Sequence, residues 1–219
     1  MPTTRTSRAA STARTEILAQ LKDDHKRVRK AYKDFQKLDL HEDREACEAI
    51  VQQVLQELTV HATLEEELLY PAARGAIADE DLVDEAEVEH GSVHALIQQL
   101  EGMTADDDKY AARFTVLCEY VLHHVKEEEG QMFPQLESAR LDWEVLAAEM
   151  TERRAELMDD AAESVSEGAA SATELGDGED ESEAESAQTA DPSEEDADPV
   201  GTPVTKPQRS PSRSRAQRA

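Results

Sequence analysis

The sequence predicts an all-α protein: an antiparallel up-down four-helix bundle with room for a short fifth helix and a disordered tail. Three observations predict it. Gly and Pro number only 8 each among 219 residues, and aromatics make up 4%, which is poor material for the turns and strands of a sheet protein. Apolar residues recur three and four apart along four successive segments, the period of a helix face. One segment is also used twice. His61-Ala62-Thr63-Leu64-Glu65-Glu66 runs on to Tyr70-Pro71, and His124-Val125-Lys126-Glu127-Glu128-Glu129 runs on to Phe133-Pro134.

The first helix is expected over about 11–38, with Ile17, Leu21, His25, Val28, Tyr32 and Phe35 on one stripe. Residues 39–42 make a turn. The second helix runs from about 43 to past 69 on Ile50, Val54, Leu58, His61, Glu65 and Leu68. Pro71 should kink or end it, because the ring lacks an N–H and clashes with the preceding turn. The third starts near the acids at 79–81, which suit a helix N-terminus. It carries Leu82, Ala86, His90, Val93, Ile97 and Leu100, with His94 one turn after His90 and Gly102 as a stop. Thr104 and Asp107 form a weak capping-box-like start for the fourth. Its stripe is Phe114, Leu117, Val121, His124, Glu128 and Met132, and Pro134 repeats the role of Pro71. A last amphipathic stretch, about 142–157, has Trp143, Leu146, Met150 and Leu157 on no clean single stripe and suits a short fifth helix packed at one end. Short connections make neighbouring helices antiparallel.

The bundle is therefore placed at residues 15–158. Residues 1–14, rich in Ser, Thr, Arg and Ala, read as a disordered arm rather than an organelle transit peptide. Residues 159–219 lose nearly all bulky apolar side chains and read as a disordered tail, acidic and then basic. The tail's protein partner is unknown from sequence. A net charge of −27 argues against nucleic acid as a partner of the whole chain. No apolar run is long enough for a membrane span, and no apolar signal segment follows the first arginines. Cys47 and Cys118 lie far apart with no C-x-x-C, so a reducing cytoplasm is expected.

The polar residues on the four stripes are His25, His61, Glu65, His90, His94, His124 and Glu128. A His and a Glu four apart share one helix face and can offer a nitrogen and an oxygen to one point. A buried carboxylate costs several kcal/mol unless paired or metal-bound, which makes the two glutamates the stronger signal. Any single seam histidine is more often part of an ordinary core. Five with two carboxylates in register point to a metal centre. His123 precedes Glu128 by five residues and is an alternative donor; the match with His61 and Glu65 favours His124. His41 falls in a turn. Imidazole with carboxylate and no thiolate suits iron, manganese or zinc, and two carboxylates among several imidazoles favour a dinuclear site.

With Asp24-His25 on the first helix and Glu89-His90 on the third, these motifs resemble the hemerythrin family, in its bacterial HHE cation-binding form, over about 15–137. The resemblance implies a four-helix bundle around two non-haem irons. It implies His90, His94 and His124 on one iron, His25 and His61 on the other, Glu65 and Glu128 bridging, and an open position for dioxygen. The pair here is a His and a Glu four apart, whereas oxygen carriers have a His and an Asp five apart. His94 restores the carriers' paired-histidine motif, which many HHE domains lack.

The expected function is binding or sensing of dioxygen or a related small ligand such as nitric oxide or peroxide. The alternatives are a di-iron peroxidase, oxidase or iron-handling protein and, in another class, a structural or regulatory module acting through the tail. Val28, Leu58, Val93 and Val121 are candidate lining for an apolar ligand pocket.

Overall fold

The computed structural model describes the backbone over residues 4–174 and the side chains over 8–163. Every regular element among the described residues is helical: α1 (Thr4–Phe35), α2 (Arg44–Leu64), α3 (Tyr70–Ala73), α4 (Asp81–Glu101), α5 (Tyr110–Glu127), α6 (Phe133–Ser138) and α7 (Trp143–Glu174). Wide π-helical turns join α2 to α3 (Glu65–Leu69) and α5 to α6 (Glu128–Met132). Helix α1 packs on α2 and α5, and α4 packs on α5 and α2. The four long helices thus close a ring, the expected bundle.

The core divides into two apolar halves with a polar layer between them. One half gathers Ile17, Leu21, Leu64, Ala86, Met132 and Phe133. The other gathers Val28, Tyr32, Leu58, Val93, Phe114 and Val121. Each bundle helix passes from one half to the other at a histidine: Leu21 to Val28 across His25, Leu58 to Leu64 across His61, Ala86 to Val93 across His90, and Val121 to Met132 across His124. The amphipathic stripes therefore do two things. Their apolar members close the core, and their polar members meet at one level.

Helical backbone continues past each proline, to Ala73 after Pro71 and to Ser138 after Pro134. Pro lacks an N–H and would clash with the carbonyl four residues back. The chain widens instead, so that the N–H of Tyr70 bonds the carbonyl of Glu65 and the N–H of Phe133 that of Glu128. Each wide turn starts at a seam glutamate, and such turns cluster at functional sites. After α3 the chain reverses at Gly75, whose φ of 74° is open to residues without a Cβ. Its N–H donates to Glu80 Oε1 at 3.2 Å.

Three boundaries differ from expectation. Helix α1 starts at Thr4, so helix covers most of the span expected as an arm; Ala10 and Ala13 pack on the apolar cluster that includes Trp143. Helix α5 starts at Tyr110 rather than near Thr104. The Thr104 N–H does reach Asp107 Oδ2 (2.8 Å), but the Ala105 N–H is drawn to Glu48 Oε1 of α2 (2.7 Å), which holds the segment as a turn. Helix α7 is not short. It runs to Glu174 along α1 and α2, and Trp143, Leu146, Met150 and Leu157 all pack on one apolar cluster. They do share a face; Arg154 fills its remaining position and hid it. The backbone over 159–174 is helical where a tail was expected, and the rest of the expected tail, 175–219, lies outside the described residues. No described helix is long and apolar enough to cross a membrane.

Candidate metal centre

The polar layer is built from two halves of the chain that repeat each other. His25 comes from α1 and His61 from α2; His90 comes from α4 and His124 from α5. All four are buried, with Glu65 and Glu128. His25 Nε2 stands 3.1 Å from His61 Nε2, and His90 Nε2 stands 3.2 Å from His124 Nε2. Glu65 Oε2 lies between the pairs, 3.1 Å from His61 Nε2 and 3.6 Å from His90 Nε2. Glu128 Oε2 does the same from the other side, 3.3 Å from His25 Nε2 and 3.9 Å from His124 Nε2.

The opposite ring nitrogens are all committed outward. His25 Nδ1 meets Glu129 Oε1 at 2.8 Å, and His61 Nδ1 meets Asp24 Oδ2 at 3.2 Å. His90 Nδ1 meets Glu66 Oε1 and His124 Nδ1 meets Glu89 Oε2, each at 2.8 Å. An ionised carboxylate only accepts, so each Nδ1 donates a proton, and each Nε2 faces inward, where it presents a lone pair once the ring is neutral. Carboxylates behind imidazoles in this way fix the tautomer and orientation of metal-ligating histidines.

The donor set suits a cation. Two nitrogens at about 2.1 Å from one ion, on adjacent octahedral positions, stand about 3 Å apart, the spacing of both histidine pairs. Glu65 Oε1 and both carboxylate oxygens of Glu128 are buried with no hydrogen-bond partner, although such groups are costly to leave unmatched. Burial and the facing Glu65 push the Glu128 carboxyl up. Burial also pushes Glu65 up, but His61, with His25 and His124, more than reverses this and holds it low. Burial pushes the His61 imidazole down; Glu65 and the Asp24 hydrogen bond outweigh it and raise the pKa to about 10. His90 is pushed down by burial and by His124. The donor atoms fall into two overlapping clusters, His25 with His61, Glu65 and Glu128, and Glu65 with His90 and His124.

His94 does not join them. Its side chain is 42% exposed, and its Nε2 lies 2.8 Å from Glu66 Oε1. Its counterpart in the other half is Arg29, four residues after His25 as His94 follows His90. Arg29 Nη2 donates to Glu129 Oε1 at 2.9 Å. Both residues brace the glutamate that holds a neighbouring imidazole. His123, the alternative to His124, is 62% exposed and turned away from the centre.

Sequence reading missed two contributors. Asp24 stood only as part of a motif, yet it is buried, bonds His61 Nδ1, and receives Arg154 Nη2 of α7 at 2.7 Å. Burial pushes the Asp24 carboxyl up, but its bonds to His61 and Arg154 hold it far below the usual carboxylate range. Its place immediately before a seam histidine, shared by Glu89 before His90, was the available signal. Tyr70 lies with its hydroxyl 3.3 Å from both Glu65 Oε2 and His90 Nε2. Phe133, its counterpart, has no hydroxyl and stacks on His25 instead, centroids 6.0 Å apart. The two halves therefore differ.

Beside the centre is a small cavity lined by Val28, Leu58, Val93 and Val121, as expected, together with the histidines. It holds about 20 Å³ of space for a water-sized sphere, enough for one small molecule.

Fold and site together define a class: a helical-bundle cation-binding protein with a histidine and carboxylate layer at mid-height. The sequence matches the hemerythrin HHE cation binding domain over residues 16–136, more than half of the chain, and the protein belongs to that family. Among solved structures it resembles a hemerythrin HHE cation-binding domain-containing protein from Mycobacterium kansasii. The TM-score is 0.54 at 24% identity, covering 65% of this chain and 86% of that one; the likeness concerns the fold. It is also 26% identical over 130 residues to a DNA nickase of Nostoc sp. (strain PCC 7120 / SAG 25.82 / UTEX 2576). That match takes in 59% of this chain but spans only about a third (34%) of the nickase. Helix α7 and its Arg154 lie beyond the matched family domain.

Proposed function

We propose that the protein is a non-haem di-iron protein of hemerythrin type that binds or senses dioxygen or a related small ligand such as nitric oxide or peroxide. One observation carries this reading: two pairs of inward Nε2 atoms, each backed by carboxylates on Nδ1, with Glu65 and Glu128 between the pairs. His25 and His61 would hold one ion and His90 and His124 the other, with Glu65 and Glu128 offering carboxylate oxygens between the pairs. His94 is assigned to bracing Glu66 rather than to an ion. Iron, when bound, supplies a redox-active centre with affinity for small ligands. The chain's own residues do the remainder. The outer carboxylates orient the imidazoles, the two apolar halves exclude bulk water, and the valine-lined cavity admits a small neutral molecule to the histidines. The Tyr70 phenol, its pKa pushed up by burial and by Glu65 and Glu128, keeps its proton and can donate a hydrogen bond beside His90.

The test is metal analysis of the purified chain, joined to visible spectra of the reduced form before and after exposure to air. About two irons per chain and a band that rises with air and vanishes on removing it are expected. Irreversible oxidation with turnover of hydrogen peroxide would replace binding with a peroxidase or oxidase reading. Absence of stoichiometric metal would overturn the centre altogether.

A further inference from the structure

One copy of the His-x-x-x-Glu spacing, His41 and Glu45, starts in the turn before α2; within the helices the spacing occurs a third time, one residue before the buried copy on α5, at His123 and Glu127. One residue is about 100° around a helix, so this pair leaves the core and faces outward. There it meets Glu89 of α4. His123 Nε2 lies 3.8 Å from Glu89 Oε1 and 3.7 Å from Glu127 Oε1, and the three donor atoms are close enough to share one ion. Among the described residues, no lysine or arginine ion pair reaches Glu85, Glu89 or Glu127.

Glu89 faces two ways. Oε1 turns to His123, while Oε2 accepts from His124 Nδ1 at 2.8 Å. The surface cleft holding His123 and an inner cavity share Glu85, Glu89 and Glu127 as walls. The inner cavity ends at His124 and at Glu128, which is 2% exposed and has no hydrogen-bond partner on either carboxylate oxygen. It holds about 10 Å³ for a water-sized sphere, room for a bare ion and not for a hydrated one. A cation moving inward must exchange water for protein oxygens, and Glu85, Glu89 and Glu127 offer them on the walls of both cavities. The valine-lined cavity beside the centre has the opposite character and suits a neutral ligand.

We propose that His123, Glu127 and Glu89 form an outer divalent-cation site through which the buried centre is loaded. The loading role rests on the reading of the buried layer as a metal centre; the outer site itself does not.

The experiment uses the full-length chain and two probes. In the first, substoichiometric Mn²⁺ is added to Zn²⁺-loaded, desalted protein while the histidine ring signals are followed by NMR. The His123 signal should broaden well before that of His41, an exposed histidine away from the cluster, and Glu127→Gln should abolish the difference. Equal broadening of both would overturn the outer site. In the second, Zn²⁺ uptake by metal-free protein is timed with a chromogenic chelator. Glu127→Gln and His123→Ala should each slow uptake about tenfold with the final metal content unchanged. Glu45→Gln, which removes the same charge at the start of α2, should leave the rate alone. Equal rates for all four proteins would overturn the loading role. Wild-type protein that retains no tightly held Zn²⁺ would instead overturn the buried centre, and loading with it. The Mn²⁺ broadening still decides the outer site in that case.

Discussion

Each imidazole at the middle of the bundle has one nitrogen on a carboxylate and the other turned inward, and the two roles respond differently to substitution. Asp24→Asn replaces an acceptor with an amide that cannot match it behind His61. Metal affinity, measured by chelator competition, should fall by roughly 10–100-fold. His94→Ala removes only a brace on Glu66 and should keep the full metal content; loss of an ion would restore His94 as a ligand. His61 also sets a pH dependence in the metal-free chain. A raised folded-state pKa stabilises fully below the ordinary value of 6.5, and this contribution disappears as pH rises toward about 10. Urea midpoints of metal-free protein should therefore decline across that interval, and His61→Gln should flatten the decline. An unchanged slope in the variant would assign the effect elsewhere.

At the scale of elements, α7 does more than cover one end. Trp143, Leu146 and Met150 bury against α1 and the chain around Tyr70, while one turn further on Arg154 reaches Asp24. Arg153 of the same helix holds Glu67 in the first wide turn, at 2.7 and 3.1 Å. Packing and polar contacts should separate by mutation. Trp143→Ala should cost about 3–5 kcal/mol of stability in denaturant unfolding. Arg154→Ala should leave the fold and metal content intact but weaken metal binding less than Asp24→Asn does, because Arg27 still pairs with Asp24. Equal metal affinity in Arg154→Ala and wild type would show that α7 does not support the centre.

For the whole molecule, the polar layer divides a core that would otherwise be continuous, and a bound cation would offset the cost of burying it. Metal held at a free concentration 100 times its Kd stabilises by about 2.7 kcal/mol. Chelation should therefore lower Tm by roughly 5–10 °C for a domain of this size, and an unchanged Tm would mean that the layer is satisfied without metal. A chain ending at Glu174 should retain the metal content and visible spectrum of the full chain, because every residue of the layer lies before α7 ends. Loss of metal on that truncation would draw the tail into the centre.

The sequence by itself determined the four bundle helices, the polar positions on their stripes and the doubled His-x-x-x-Glu-Glu segment, since helical periodicity is local and each stripe records which face is buried. The repeat also favoured His124 over His123, because it marks a face. Only the tertiary structure decided which polar side chains meet. His94 lies on a seam position by spacing, yet it is drawn to Glu66 as Arg29 is to Glu129. Asp24 stood in the sequence only as the neighbour of His25 in a motif; its bond to Arg154 comes from α7. The face of α7 was hidden by that same arginine, a charge whose burial depends on a partner 130 residues away. Periodicity tells which face of a helix turns inward; what each inward side chain finds there depends on helices distant in sequence, and three-dimensional packing alone sets that.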